Sequence, residues 1–318
     1  MDASPPAAPQ GPTPGQRPAF IKLRWPHLAA IAVGVVLALL VSGGGGAAAL
    51  WGKTLGVFSP RRTSHGPSTL SDRDLDRQRP QRQAEILLER AVSRTDGATG
   101  QAEAQIEARL DGWRGKLKWD PQLSDLTTVA LNSANYGVRE SAIEVQLAAY
   151  GLTKKDSTVE SLVRQADSSD HAQKIWALWA LGLLGNRGVQ TDRVVQVLTA
   201  HLKSSKDSDE DSRRWAVEGL ALVGTTSTVT PLLDAMHNDP SALVRERAAC
   251  SLAESGMLSH EQRLIAVPQL INYSDDPALD AQTHDWAFQA LGDITKQHLP
   301  NDSGAWRSWY RTAVASGQ

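Results

Sequence analysis

Asp239-Pro240-Ser241-Ala242-Leu243-Val244-Arg245-Glu246-Arg247-Ala248-Ala249-Cys250-Ser251-Leu252-Ala253-Glu254-Ser255-Gly256 is the stretch on which the fold turns. Counting from Val244, positions i, i+4, i+7, i+8 and i+11 fall on one side of a helix, and small residues there let a neighbouring helix come close. Gly256 suits a left-handed helix end. Aligning the chain on Ala248 brings Ala142, Ala177, Ala216 and Ala287 into the same position, at steps of 35, 39, 32 and 39 residues. Such spacing is that of stacked helix pairs. The copies read Ala177-Leu178-Trp179-Ala180-Leu181-Gly182-Leu183-Leu184-Gly185, Ala216-Val217-Glu218-Gly219-Leu220-Ala221-Leu222-Val223-Gly224 and Ala287-Phe288-Gln289-Ala290-Leu291-Gly292-Asp293-Ile294-Thr295. The loosest runs from Val138-Arg139-Glu140-Ser141-Ala142 to Gly151. A shorter amphipathic stretch precedes each of the middle copies, at 159–166, 194–202 and 229–236, and supplies the first helix of a pair. No pair buries its own apolar face, so stacking makes the core.

These copies resemble HEAT repeats, in particular the bacterial form whose second helix reads Val-Arg-x-x-Ala-x-x-Ala-Leu-x-x-Leu-Gly. Val138-Arg139 and Val244-Arg245 match its opening, whereas Gln173-Lys174, Ser212-Arg213 and Thr283-His284 depart from it. Trp306-Arg307-Ser308-Trp309 looks like the Trp-Arg-x-Trp closing helix of some such proteins. The resemblance implies an all-α solenoid of HEAT-like helix pairs over residues 119–296, a helical pair before it at 83–118 and a capping helix at 297–318. Its members are mostly protein-binding scaffolds, and one branch attaches phycobilin chromophores. A fold of this kind does not choose between those roles.

Upstream the composition changes. Residues 1–27 begin with Pro5, Pro6, Pro9, Pro12, Pro14 and Pro18 among Ala, Gln and Gly, and read as a disordered cytoplasmic tail. Residues 28–50 are uncharged, and as a helix they span roughly 30 Å, a hydrocarbon thickness. Trp25 and Trp51 bracket them as interfacial aromatics do. The segment reads as a single transmembrane signal anchor. A cleaved signal peptide stands beside that reading, because the densest apolar run is 28–41 and Ala47-Ala48-Ala49 offers a cleavage site. Both readings export the C-terminal bulk from the cytoplasm. Arg17, Lys22 and Arg24 before the segment balance Lys53, Arg61 and Arg62 after it, so the positive-inside rule leaves a cytoplasm-facing adaptor as the reverse topology. Gly34, Ala38, Ser42 and Gly46 have small-xxx-small spacing, which fits a homodimer through the membrane. Residues 51–82, basic and holding Pro60, Pro67 and Pro80, read as a flexible linker.

Composition excludes more than it assigns. A formal charge of −2 argues against a nucleic-acid binder relying on bulk electrostatics. One cysteine, Cys250, rules out an internal disulfide and a CxxC metal site, and its place on a core-lining helix suggests a small buried hydrophobe. The eight histidines show no metal-ligand spacing, and no G-x-S-x-G elbow exists. Asp207-Ser208-Asp209-Glu210-Asp211 lacks the Gly and terminal Glu of a calcium loop and suits a helix N-terminus. Gly46 to Gly52-Lys53-Thr54 is one residue too long for a phosphate loop. We therefore expect no cofactor, no metal and no catalysis, and a partner that is another protein or peptide. The rival is an accessory or chromophore-lyase-like enzyme using the same groove.

Ten of the seventeen aromatics are Trp, and Trp176, Trp215 and Trp286 each stand immediately before a signature Ala. As a ladder along a groove they would be partner-binding hot spots; as packing they would tie repeat to repeat. Trp179 lies off the signature face and is expected to be the most exposed. Arg139, Lys174, Arg213 and Arg245 also align, to bind an acidic partner or to pair with loop acids such as Asp170, Asp211 and Asp239. Trp176, Trp179, Trp215, Trp286, Arg213 and the adjoining Arg214 are the candidate partner-binding residues.

Overall fold

The structure, a computed structural model, describes residues 70–93, 98–203 and 208–315. The tail at 1–27, the apolar segment at 28–50 and the homodimer motif within it lie outside the described residues. Among the described residues no helix is long and apolar enough to cross a membrane.

The described residues form helices and no strand. The order is α1 (Asp72–Asp76), α2 (Pro80–Val92), α3 (Ala98–Trp113), α4 (Pro121–Leu131), α5 (Tyr136–Ala149), α6 (Asp156–Ala166), α7 (His171–Asn186) and α8 (Thr191–Leu202). Then follow α9 (Glu210–Val223), a 3-10 turn (Thr226–Thr228), α10 (Val229–Asn238), α11 (Ala242–Ala253), α12 (His260–Leu264), α13 (Val267–Tyr273), α14 (Ala281–Thr295) and α15 (Ser303–Ala315). The pairs α6/α7, α8/α9, α10/α11 and α13/α14 pack internally, and their second helices α7, α9, α11 and α14 lie side by side in that order. This is an α-solenoid. Each signature alanine sits at the seam, since Ala142, Ala177, Ala216, Ala248 and Ala287 are all fully buried.

Local chemistry starts and stops the helices. Asp120, Asn135, Asp170, Asp209, Ser241 and Asp280 each precede a helix and accept from a backbone N–H of its first turn, offsetting donors that have no partner within the helix. Asp209 is thus a cap, as the acidic run suggested. Gly224 ends α9 at φ +61, in the left-handed region where a side chain is strained. Gly185, by contrast, does not end its helix. It lies inside α7, pressed between Val194 and Val223, and Gly188 takes the left-handed turn instead.

Two readings of the sequence change here. Residues 70–82, assigned to a flexible linker, carry α1 and the start of α2. Ser71 caps α1, Leu75 is fully buried, and Pro80 occupies the first turn of α2, where its missing N–H costs nothing. The copy at Ala142 also differs from the rest. Its helix α5 pairs with α4, packs also on α3 and touches α7 more lightly than the later second helices touch one another, so α1–α5 form an N-terminal module beside α7.

Candidate functional site

From Ile175 to Gly185 α7 is apolar on every side, and a helix segment of that kind must be buried all round. From Trp176 to Gly185 every residue is buried. The cover comes from the N-terminal module. The Tyr150 ring lies 4.9 Å from Trp176 and 5.2 Å from Trp179, Trp119 stacks behind it at 5.3 Å, and the two α7 tryptophans are 5.1 Å apart. Burial pushes the Tyr150 phenol far above its ordinary pKa. Ion pairs edge this aromatic joint. Arg187, just past α7, donates from Nε to Glu144 Oε1 at 2.7 Å and also pairs with Glu140, while Lys154 donates to Glu144 at 2.8 Å. Burial opposes the Arg187 charge, but the two carboxylates outweigh it and hold the guanidinium above its ordinary value. Arg139 reaches further along the stack and donates to Gly256 O at 2.9 Å.

This geometry removes most of the predicted contact residues from a partner's reach. Trp179, expected to be the most exposed, is only 4% exposed, and Trp176 beside it is equally covered. The uncharged run from Ile175 to Gly185 carried the signal for this; the position of Trp179 off the signature face did not. Trp215 is buried under the Arg214 guanidinium, whose Cζ lies 5.6 Å from the ring centre. Arg213 is buried as well, donating from Nε and Nη2 to the two oxygens of Asp239 at 2.8 and 3.1 Å. Arg245 repeats the motif one layer on, to Asp280 at 2.6 Å and Thr283 at 3.1 Å. The aligned arginines therefore join adjacent repeats. Only Arg214 and Trp286, among the predicted residues, are partly exposed, and Arg214 donates to Asp211 at 3.1 Å.

The surface left open lies on α11 and α14. Leu243 is 57% exposed, and Glu246, Glu254, Gln282 and Asp285 are exposed too. Arg247, Cys250, Trp286, Gln289 and Asp293 are half-buried among them, so Cys250 is not the buried hydrophobe expected. The reason is its register: it stands two residues after the signature Ala, on the side facing away from the seam. Arg247 donates to Glu218 of α9 at 2.8 Å and lies 3.7 Å from the Cys250 sulfur. Leu243, Glu246 and Glu254 were not singled out from the sequence, although their constant offsets from Ala248 place them on one stripe. The charge is local as well. Residues 208–315 hold fifteen Asp and Glu against eight Lys and Arg, in a chain whose overall charge is only −2. Among the described residues no His, Cys, Asp or Glu side chains gather in threes that could hold a metal ion.

No curated protein matches the chain. Among solved structures, a crystal structure of an engineered protein has 16% identity and a TM-score of 0.32, covering 67% of this chain and 96% of its own. A designed armadillo repeat protein, solved in complex with the peptide (KR)4, has 15% identity and a TM-score of 0.29, covering 65% of this chain and 99% of its own. The family model of HEAT repeats matches residues 202–292, from the end of α8 into α14. The match spans the part of the stack that carries the open surface.

Proposed function

We propose that this chain is a protein-interaction scaffold whose working surface is the open face of α11 and α14, with Leu243 and Trp286 as its apolar contacts. One observation carries the reading. The stripe that is covered by the N-terminal module on α7 stays uncovered on α11 and α14, and it keeps an exposed leucine and a partly buried tryptophan there. Large side chains of this type, ringed by polar ones, supply most of the energy in protein interfaces. A photo-crosslinking residue placed at Leu243 in the full chain, in its native host, is expected to capture a defined partner, and Trp286→Ala is expected to abolish the capture. Equal capture from a crosslinker at the exposed Val129 of α4 would refute the assignment.

The apolar segment at 28–50 leads us to propose further that the stack is tethered to the cytoplasmic membrane and faces away from the cytoplasm. Added protease is expected to digest the repeats on intact cells. Protection until the membrane is breached would assign the chain to the cytoplasmic face instead.

A further inference from the structure

A chain of polar contacts joins α10 to the turn between α13 and α14. At its centre stands His237, partly buried in the last turn of α10, and both of its ring nitrogens face acceptors. Asn238 Nδ2 donates to Asp234 Oδ1 at 2.7 Å, which leaves Asn238 Oδ1 to face His237 Nδ1, also at 2.7 Å. An amide oxygen only accepts, so Nδ1 carries a proton. On the other side of the ring, Nε2 lies 3.0 Å from Asp276 Oδ2. That carboxylate stays ionised, its pKa held down by the Ala278 N–H first and by His237 second, so Nε2 carries a proton as well. An imidazole ring donates from both nitrogens only when charged. We infer that His237 is a proton-operated clasp: charged, it ties the Asp276 turn and the terminal repeat to α10, and on losing its proton it lets that turn go.

The turn under the clasp anchors the end of the stack. Asp275, beside Asp276, accepts from Arg307 of the capping helix α15 at 2.6 and 2.7 Å and from Ser303 Oγ at 2.8 Å. His284 of α14 donates from Nε2 to Asp276 O at 2.8 Å. Tyr273, at the end of α13, lies with its ring 4.8 Å from that of His237, and its hydroxyl donates to Leu233 O at 3.3 Å. Burial raises the pKa of this phenol, so it stays neutral beside the clasp. Asp239, next along the chain, is engaged by Arg213. The charges that face the imidazolium are therefore Asp276 and Asp234. Burial works against the His237 charge, but Asn238 and these two carboxylates outweigh it and raise its pKa. A raised folded value means that the clasp contributes in full below the unfolded value of about 6.5 and is lost as pH rises through the folded one.

Nuclear magnetic resonance of the full chain, with histidine nitrogens labelled, reads the two ring protons directly. His237 is expected to titrate above the ordinary value of about 6.5, with both nitrogens protonated below its midpoint, and Asp276→Asn is expected to bring the midpoint down. Hydrogen exchange reads the turn. The protection factor of residues 274–280, taken relative to α9, is expected to fall as pH rises from about 6 to about 9, by about tenfold for each unit that the midpoint is raised. His237→Gln should make that ratio independent of pH. His284→Gln, which removes the other histidine on Asp276, should leave the fall in place. A His237 midpoint at or below the ordinary value overturns the inference on the unaltered chain, whatever the variants do. So does a fall that survives His237→Gln, one that vanishes with His284→Gln, or a loss of protection that is uniform along the chain.

Discussion

Arg213 and Arg214 are neighbours in the chain and do opposite work. The first is buried with Asp239 in a two-point ion pair; the second lies half-exposed across the face of Trp215. Removing one member of a buried pair strands the other, at about 3–5 kcal/mol, whereas a surface ion pair contributes about 0–1 kcal/mol. Arg213→Met is therefore expected to lower the free energy of urea unfolding by an amount in the first range and Arg214→Met by one in the second; equal losses would show that the arginine ladder does not join the repeats. Glu103 on α3 offers a pH test. Burial first, and the nearby Glu140 second, raise its pKa, and Oε1 is buried without a partner. The folded state thus disfavours the carboxylate. That penalty is whole above the raised pKa and is relieved as pH falls toward the unfolded value of about 4.3. Glu103→Gln should raise the melting temperature at neutral pH, with the gap closing near pH 4; a gap independent of pH would contradict this origin.

Between elements, α7 and α9 approach closely, and two glycines permit it. A methyl group on Gly182 would meet Gly219 O at 2.6 Å, and one on Gly219 would meet Leu178 O at 2.7 Å. Helix propensity alone favours alanine by about 1 kcal/mol, but overpacking of a tight contact costs about 1–3 kcal/mol. The steric effect wins here, because backbone atoms cannot step aside. Gly219→Ala is expected to destabilise by about 1–2 kcal/mol on chemical denaturation. At Gly112 of α3 nothing lies within 4 Å, and alanine there should gain up to about 1 kcal/mol. Reversal of the two signs would mean that the crossing relaxes more easily than its geometry suggests. The small residues at these offsets were legible in the repeat pattern; the distance between the helices was not.

Across the whole molecule, the joint between the N-terminal module and the stack is held by an aromatic cluster and by Arg187. Arg187→Gln leaves the buried Glu144 with Lys154 as its remaining cation. We expect a loss of about 2 kcal/mol, together with faster hydrogen exchange in α1–α5 than in α9 and α11. Uniform acceleration along the chain would show that module and stack unfold as one unit. The module also closes the face over α7, where Tyr150 covers Trp176 and Trp179.

Sequence alone determined the repeat. A small residue recurring every 32 to 39 positions imposes helix stacking whatever surrounds it, since amphipathic pairs have no other way to bury their apolar sides. The aligned positions also gave the burial of all five signature alanines, and of the four aligned cations Arg213 and Arg245 pair with the loop acids Asp239 and Asp280 while Arg139 donates to a carbonyl instead. Only the tertiary structure decided which tryptophans a partner could touch. Trp176 and Trp286 share one repeat position, yet one lies beneath Tyr150 and the other at the surface. A register specifies the direction of a side chain from its own helix; what lies in that direction depends on other elements, near in the chain as Tyr150 is to Trp176 or far from it as Gly256 is from Arg139.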